Sequence, residues 1–494
     1  MPASRPSCGN RTRRTSAGSC STALAAASAD AGVLPQDRRL PSLTSGLLRR
    51  MMRHSTARAC GVGGTHLRFC LSALALLDDT RSRLDRAMAL QLAKRSDGKM
   101  PVSSLANAVL PRTGEGESIT ALHLAARSGS GEVAAVLLES GADHAVVDSR
   151  GRTPLSFAAA AGHVGIAKML LDAQAKVDNQ DSLGWSALHH AACAGQAAVC
   201  TLLVERGADV SLLTGEGMSA LHLAAQEGKP ACVKALAQAG ARVDSTGSAS
   251  LRRSCLDVAV RHGKLGCVAA LLQLGADARV VDGDGNTPLN VAASKGEPLA
   301  LRALLPKSDL GVANAQGLQA FHTAAACGQL EALRLLLPLC DVHARTSKPA
   351  SGSAATAHDL TALHLACKAG QAGAVAELLA AGAQRDALDS QRRSALHYAA
   401  WFGRLDALVG IVGEPGAYVL HAQQLDAQDA LGRTPLWFAA AQGHAECCAA
   451  LISAGASVTA GAQSPCAAAK QFQGHQKELL AMLQAGKIGG EAVE

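Results

Sequence analysis

Six histidines recur at one place in a repeating phrase. His123, His189, His222, His322, His364 and His397 each follow Ala-Leu or Ala-Phe. Imidazole binds metals and carries protons, and in "LHHAAC" His189 and Cys193 stand four apart on one helical face, as two zinc ligands can. A zinc site needs three or four converging ligands, whereas the phrase supplies one such histidine per repeat, so the pattern points to a structural imidazole. Other chemistry is missing from the chain. It has no G-x-x-x-x-G-K-[ST] phosphate loop, no G-x-S-x-G elbow, no H-E-x-x-H and no Cys-x-x-Cys pair. Adjacent Cys447 and Cys448 read as helix packing rather than redox chemistry. Neither an enzyme, nor a cofactor, nor a small-molecule substrate is expected.

The elements that position these residues follow from the repeat. Equivalent positions are Leu122, Leu155, Leu188, Leu221, Leu256, Leu289, Phe321, Leu363, Leu396 and Leu436, spaced by 33, 33, 33, 35, 33, 32, 42, 33 and 40. Two residues before the mark commonly stands Thr or Ser (Thr120, Thr153, Ser186, Ser219, Thr287, Thr361, Ser394, Thr434), where a side-chain oxygen caps a helix N-terminus. Pro154, Pro288 and Pro435 follow directly, at the helical position where a missing N–H costs nothing. Glycine stands seven residues after every mark, from Gly129 to Gly443, and closes a helix of about two turns. A second apolar-periodic stretch follows, such as Val133, Val136, Leu137 and Leu138, then a polar turn such as "VVDSRGRT". Each unit is a helix hairpin plus a turn. One hairpin cannot bury its own apolar side, so Leu122, Ala125, Ala126, Val136 and Leu137 are expected to face neighbouring units. With aromatic residues at 2% and alanine and leucine dominant, the class is all-α.

The stretches "GRTPLSFAAAAGHVGIAKMLLDAQAKVDNQD" at 151–181 and "GRTPLWFAAAQGHAECCAALISAGASV" at 432–458 resemble the ankyrin repeat. The resemblance implies a solenoid of stacked helix-turn-helix units joined by β-hairpin-like turns. It also implies that the six histidines hydrogen bond to neighbouring backbone; Ser156, Asp257, Asn290 and Trp437 take their place elsewhere, so those junctions are expected to differ. The domain plan is a basic, disordered arm over 1–86, a degenerate capping repeat over 87–113, repeats over 114–463 with insertions near 345–359 and 413–425, a second cap over 464–485 and a tail over 486–494.

The resemblance further implies a protein partner gripped by turn tips and first helices, the work of a non-catalytic scaffold or adaptor. Residues that break the local rule are the candidates. Trp185 replaces a small polar residue in a turn, and Trp401 and Phe402 stand where Arg127 and Ser128 stand in the first full unit. Trp and Arg are enriched among residues that dominate binding energy. Arg150 and Arg152 share one turn and Arg392 and Arg393 another, where they can pair with acidic groups or be solvated. Tyr418 lies in the second insertion. Each ring can instead fill a gap beside small alanines.

Charge is unevenly placed. Residues 1–86 carry 14 Lys+Arg and 5 Asp+Glu, which leaves 33 bases against 35 acids in the rest. This Arg- and Ser-rich arm has the composition of a mitochondrial transit peptide or of an unstructured tail, so a tether to an organelle or an anionic surface is the alternative function. Met51, Met52 and Met88 leave open whether the whole arm is used. Nucleic acid is not expected, because stacking aromatics are missing there apart from Phe69. Most of the 15 cysteines fall at small apolar helix positions, which reads as reduced and cytoplasmic, with mitochondrial or nuclear location as alternatives. The apolar stretch Phe69 to Leu77 is far short of the roughly 18 residues of a membrane span. A monomeric solenoid is expected.

Overall fold

The computed structural model describes residues 107, 119–247, 252–348, 358–413, 422–465 and 481. The arm, the tail, most of both capping repeats, the centres of both insertions and Tyr418 lie outside the described residues. The chain divides into two compact units, residues 1–241 and 242–494.

The first unit pairs α1 (Ala121–Ser128) with α2 (Gly131–Glu139), α3 (Pro154–Ala161) with α4 (Val164–Asp172), α5 (Ala187–Ala194) with α6 (Ala197–Glu205), and α7 (Ala220–Glu227) with α8 (Pro230–Gln238). First helices pack on first helices, second on second, so each hairpin's apolar side is covered by the next. Leu122, Ala125, Ala126, Leu137 and Leu170 are fully buried, while Val136 is only half-buried because it turns to the outer side of α2. Asn107, from the expected N-terminal cap, donates to the Gly141 carbonyl at 3.2 Å and accepts the Asp143 N–H at 2.7 Å.

The second unit repeats the scheme. Its first helices are α9 (Cys255–Arg261), α11 (Pro288–Lys295), α13 (Ala320–Cys327), α15 (Ala362–Ala369), α17 (Ala395–Trp401) and α20 (Pro435–Gln442). Its second helices are α10 (Leu265–Gln273), α12 (Pro298–Leu304), α14 (Leu330–Leu336), α16 (Ala372–Ala380), α18 (Leu405–Val412) and α21 (Ala445–Ser453); the single turn α19 (Ala422–Leu425) precedes α20.

The helix ends follow the side chains. The Thr153 hydroxyl accepts the Ser156 N–H and the Thr434 hydroxyl the Trp437 N–H, each at 3.3 Å. Gly162 closes α3 at φ +81°. Two helices stop one residue sooner than the glycine rule predicts: α9 and α17 are capped by His262 and Phe402, with Gly263 and Gly403 taking positive φ one place later.

The links between repeats are fingers rather than strands; among the described residues only isolated bridges form, as between Leu213 and Ser219. In the finger at 148–152 the Asp148 N–H donates to the Arg152 carbonyl at 2.9 Å. The Asp148 carboxylate accepts the N–H of Arg150 at 2.9 Å and of Arg152 at 2.7 Å. Neighbouring fingers are joined through the backbone: Ser182 N–H to Arg150 O at 2.8 Å in the first unit, Ala430 N–H to Gln391 O at 3.0 Å in the second.

No helix among the described residues is long and apolar enough to cross a membrane. Cys200, Cys232, Cys255, Cys267, Cys367, Cys447 and Cys448 are buried, reduced thiols, as small apolar positions should be.

Candidate functional site

Each recurrent histidine is consumed by structure. At the start of α15, His364 Nδ1 accepts the Thr361 N–H at 3.1 Å and lies 2.8 Å from its hydroxyl, while Nε2 donates to the Arg393 carbonyl of the next finger at 3.0 Å. The same bond runs from His123 to Arg152, His189 to Leu212, His322 to Ala344 and His397 to Arg433, at 3.0 to 3.2 Å. Both ring nitrogens are occupied, so the imidazole serves as a neutral strut. Burial pushes His189, His364 and His397 down to about 4 from an ordinary 6.5. Among the described residues no three His, Cys, Asp or Glu side chains gather as a metal would need.

The variant junctions show how the strut can be replaced. Asn290 keeps it, donating Nδ2–H to the Leu318 carbonyl at 3.1 Å. Asp257 abandons it: its carboxylate meets Arg261 Nε at 2.7 Å, and the same guanidinium reaches Asp282.

Three repeats add an aromatic ring to the strut. Phe157 meets His123, Tyr398 meets His364 and Phe438 meets His397, all edge to face at 5.3 to 5.8 Å. Five residues before each ring stands an arginine, and its guanidinium lies over that ring: Arg152 over Phe157 at 4.5 Å, Arg393 over Tyr398 at 4.9 Å, Arg433 over Phe438 at 4.7 Å. Each arginine is also clamped by the finger aspartate four residues earlier, Asp148, Asp389 or Asp429. Burial works to raise the Asp389 carboxyl, but hydrogen bonds from Arg393 and the Tyr398 hydroxyl hold it below the ordinary carboxylate range.

These contacts sort the expected binding residues. Arg393 is corrected as a surface residue: it is 4% exposed, because its charge is neutralised by Asp389 and its plane is sandwiched against Tyr398 and Trp401. Arg152 is half-buried in the matching role, and Arg150 is exposed at the same fingertip. Trp185 is half-buried, its ring 5.2 Å from His190, whose Nε2 lies 3.0 Å from Asp181. Trp401, Phe402 and Arg393 come together in the second unit. The Trp401 ring lies 5.5 Å from Phe402, 6.4 Å from Tyr398 and 5.2 Å from Phe438. Phe402 is 38% exposed, with Lys368 Nζ 5.8 Å from its ring.

Tyr398, Phe438, Arg433 and Lys368 belong to this cluster although the single-repeat reading passes over them. The signal is present in the sequence: an aromatic residue two places after the mark, following a repeat with histidine one place after it. It emerges only when adjacent repeats are compared.

Helix hairpins stacked in register and joined by hydrogen-bonded fingers define an interaction repeat, with its accessible chemistry on side chains that the stack does not consume. The ankyrin-repeat family models agree: "Ankyrin repeats (3 copies)" matches at 90–181, 122–214, 171–247, 210–280, 256–346 and 349–421, and "Ankyrin repeat" at 431–462. The chain belongs to the ankyrin-repeat family. Among solved structures it is similar to the human ASB11 ankyrin repeat domain, at 29% identity over 44% of this chain and 97% of that one, with a TM-score of 0.39. A search of curated proteins finds no match.

Proposed function

We propose that the chain is a non-catalytic scaffold or adaptor that holds a protein partner on the fingertips and first helices of its stacked repeats. Ankyrin repeats are protein-interaction modules. The observation that carries the reading is the Trp401–Phe402 pair, stacked at the end of α17 and left partly open in a chain with 2% aromatic residues. Large rings held rigid and half-covered bind at little entropic cost. In the first unit Trp185, Arg150 and Arg152 offer a second candidate patch. Catalysis, cofactor and small-molecule turnover have no part in the reading, and the protein acts in the cytoplasm as a monomer.

The test is capture of partners from cell extract by the full chain, followed by Trp401→Ala with Phe402→Ala. Loss of a captured protein at unchanged helical circular dichroism supports the assignment; undiminished capture removes those residues from it. The surplus of positive charge in residues 1–86 favours a second reading, a tether to an anionic surface. Deleting that arm then abolishes localisation while leaving folding intact, and unchanged localisation defeats it.

A further inference from the structure

Around the Trp401–Phe402 pair the second unit displays cations without matching acids. Arg392 and Lys368 are exposed, and neither has a carboxylate within ion-pair reach among the described residues. Arg345 is exposed too, and spends its guanidinium on the carbonyls of Asp359 and, at 2.6 Å, Leu388. It therefore bridges two fingers with its charge unneutralised. Arg404 adds a fourth, anchored to the Lys368 carbonyl at 3.4 Å. Among the acids of the same segments Asp359 is half-buried and Asp386 and Asp406 are exposed; the finger acids Asp389 and Asp429 are already taken by Arg393 and Arg433.

Arg392 carries a second mark. It occupies the fingertip position that is glycine in most fingers and, like Arg252 at φ +43° and Asp359 at φ +62°, shares their left-handed backbone, at φ +57° against +78° for Gly151 and +72° for Gly432. L-residues with side chains are disfavoured there. The strain secures no internal contact, since the guanidinium has no hydrogen bond or ion pair among the described residues. What it achieves is a charge held out at the tip of the finger whose next residue, Arg393, lies over Tyr398 and Trp401.

We propose that this face of the second unit takes an extended acidic segment of a partner protein, its carboxylates meeting Arg392, Arg345 and Lys368 and an apolar side chain seated against Phe402. The inference rests on the scaffold reading and names the partner's chemistry. Charge complementarity selects an acidic occupant. The aromatic geometry selects a peptide over a nucleic acid. The Trp401 ring already lies against Tyr398, Phe402 and Phe438 and is the less available for stacking with a base, whereas exposed Phe402 with Lys368 Nζ 5.8 Å from its ring suits an aliphatic or phenolic side chain next to a carboxylate.

The experiment titrates the full chain with a random copolymer of glutamate and tyrosine, read by isothermal calorimetry. A lysine–tyrosine copolymer and single-stranded oligothymidine serve as the comparisons. The glutamate–tyrosine copolymer is expected to bind alone, more weakly as salt rises. Lys368→Glu with Arg392→Glu is expected to weaken it roughly tenfold or more, Phe402→Ala to weaken it as well, and Arg392→Lys to retain it, all at unchanged helical circular dichroism. Equal binding of either comparison polymer, or unaltered binding by the double-charge variant, overturns the proposal. If the copolymer fails to bind while a protein partner is still captured and lost on Trp401→Ala with Phe402→Ala, the acidic class falls and the scaffold stands. If neither binds, both fall.

Discussion

His364 Nε2 donates to the Arg393 carbonyl, 3.0 Å away in the following repeat, from a ring whose other nitrogen caps the start of its own helix. Protonation would force Nδ1 to become a donor facing the Thr361 N–H. With folded values of about 4 for His189, His364 and His397, below the ordinary 6.5, the unfolded chain takes up protons first. Stability is therefore present in full above pH 6.5 and lost as pH falls toward 4, by roughly 3 kcal/mol per histidine. Urea unfolding of the full chain between neutrality and mild acid should show this decline. His364→Asn, which copies the Asn290 junction, should cost little at neutral pH and make the decline shallower; an unchanged slope would show that the struts do not govern it.

Arg392 holds a left-handed backbone that glycine adopts freely. Arg392→Gly should stabilise the second unit by about 1 kcal/mol, from relieved strain less the entropy that glycine adds to the unfolded chain. The reverse change is not symmetrical. At Gly432 a Cβ would stand 2.6 Å from the Ala462 Cβ, so Gly432→Ala should destabilise, and the two urea midpoints should move in opposite directions.

Much of this can be read directly. The Thr and Ser caps, the closing glycines and the burial of Leu122, Ala125 and Leu137 follow from periodicities local to one repeat. Arg393 misleads because a charged residue in a turn reads as solvated, when its surroundings are made by Asp389 four residues before and Tyr398 five after. Val136 misleads because the unbroken apolar run from Val133 to Leu138 offers more apolar positions than one buried face can take. The aromatic cluster is half legible: Trp401 and Phe402 stand out by type, whereas Tyr398 and Phe438 gain meaning only against the histidine of the preceding repeat.

Leu170 is fully buried in α4, where the second helices of adjacent hairpins meet. Leu170→Ala should cost about 2 to 5 kcal/mol through lost transfer energy and the cavity left behind. The loss should appear in the unfolding of the first unit; a change below about 0.5 kcal/mol, the range of ordinary surface substitutions, would place Leu170 outside the core.

Arg261 bridges two buried carboxylates, pairing with Asp257 at 2.7 Å and with Asp282, each acid with 2% of its side chain exposed, while Arg253 Nε stands farther off, 4.0 Å from Asp257. Burial raises the Asp257 carboxyl despite the guanidinium beside it, and its Oδ1 has no hydrogen-bond partner among the described residues. Removing the shared partner therefore leaves Asp257 with only the more distant Arg253 and Asp282 with only the N–H groups of Asp284 and Asn286 and the Asn286 amide, whereas removing Asp257 still leaves Arg261 joined to Asp282. Arg261→Ala should cost on the order of 3 to 5 kcal/mol and Asp257→Ala clearly less. Double substitution to alanine should recover part of the Arg261→Ala loss, since one buried carboxylate that has lost its near partner is gone. A double-mutant cycle by urea unfolding reads the sign, and simple additivity of the two losses would mean that the three side chains do not act as a linked set.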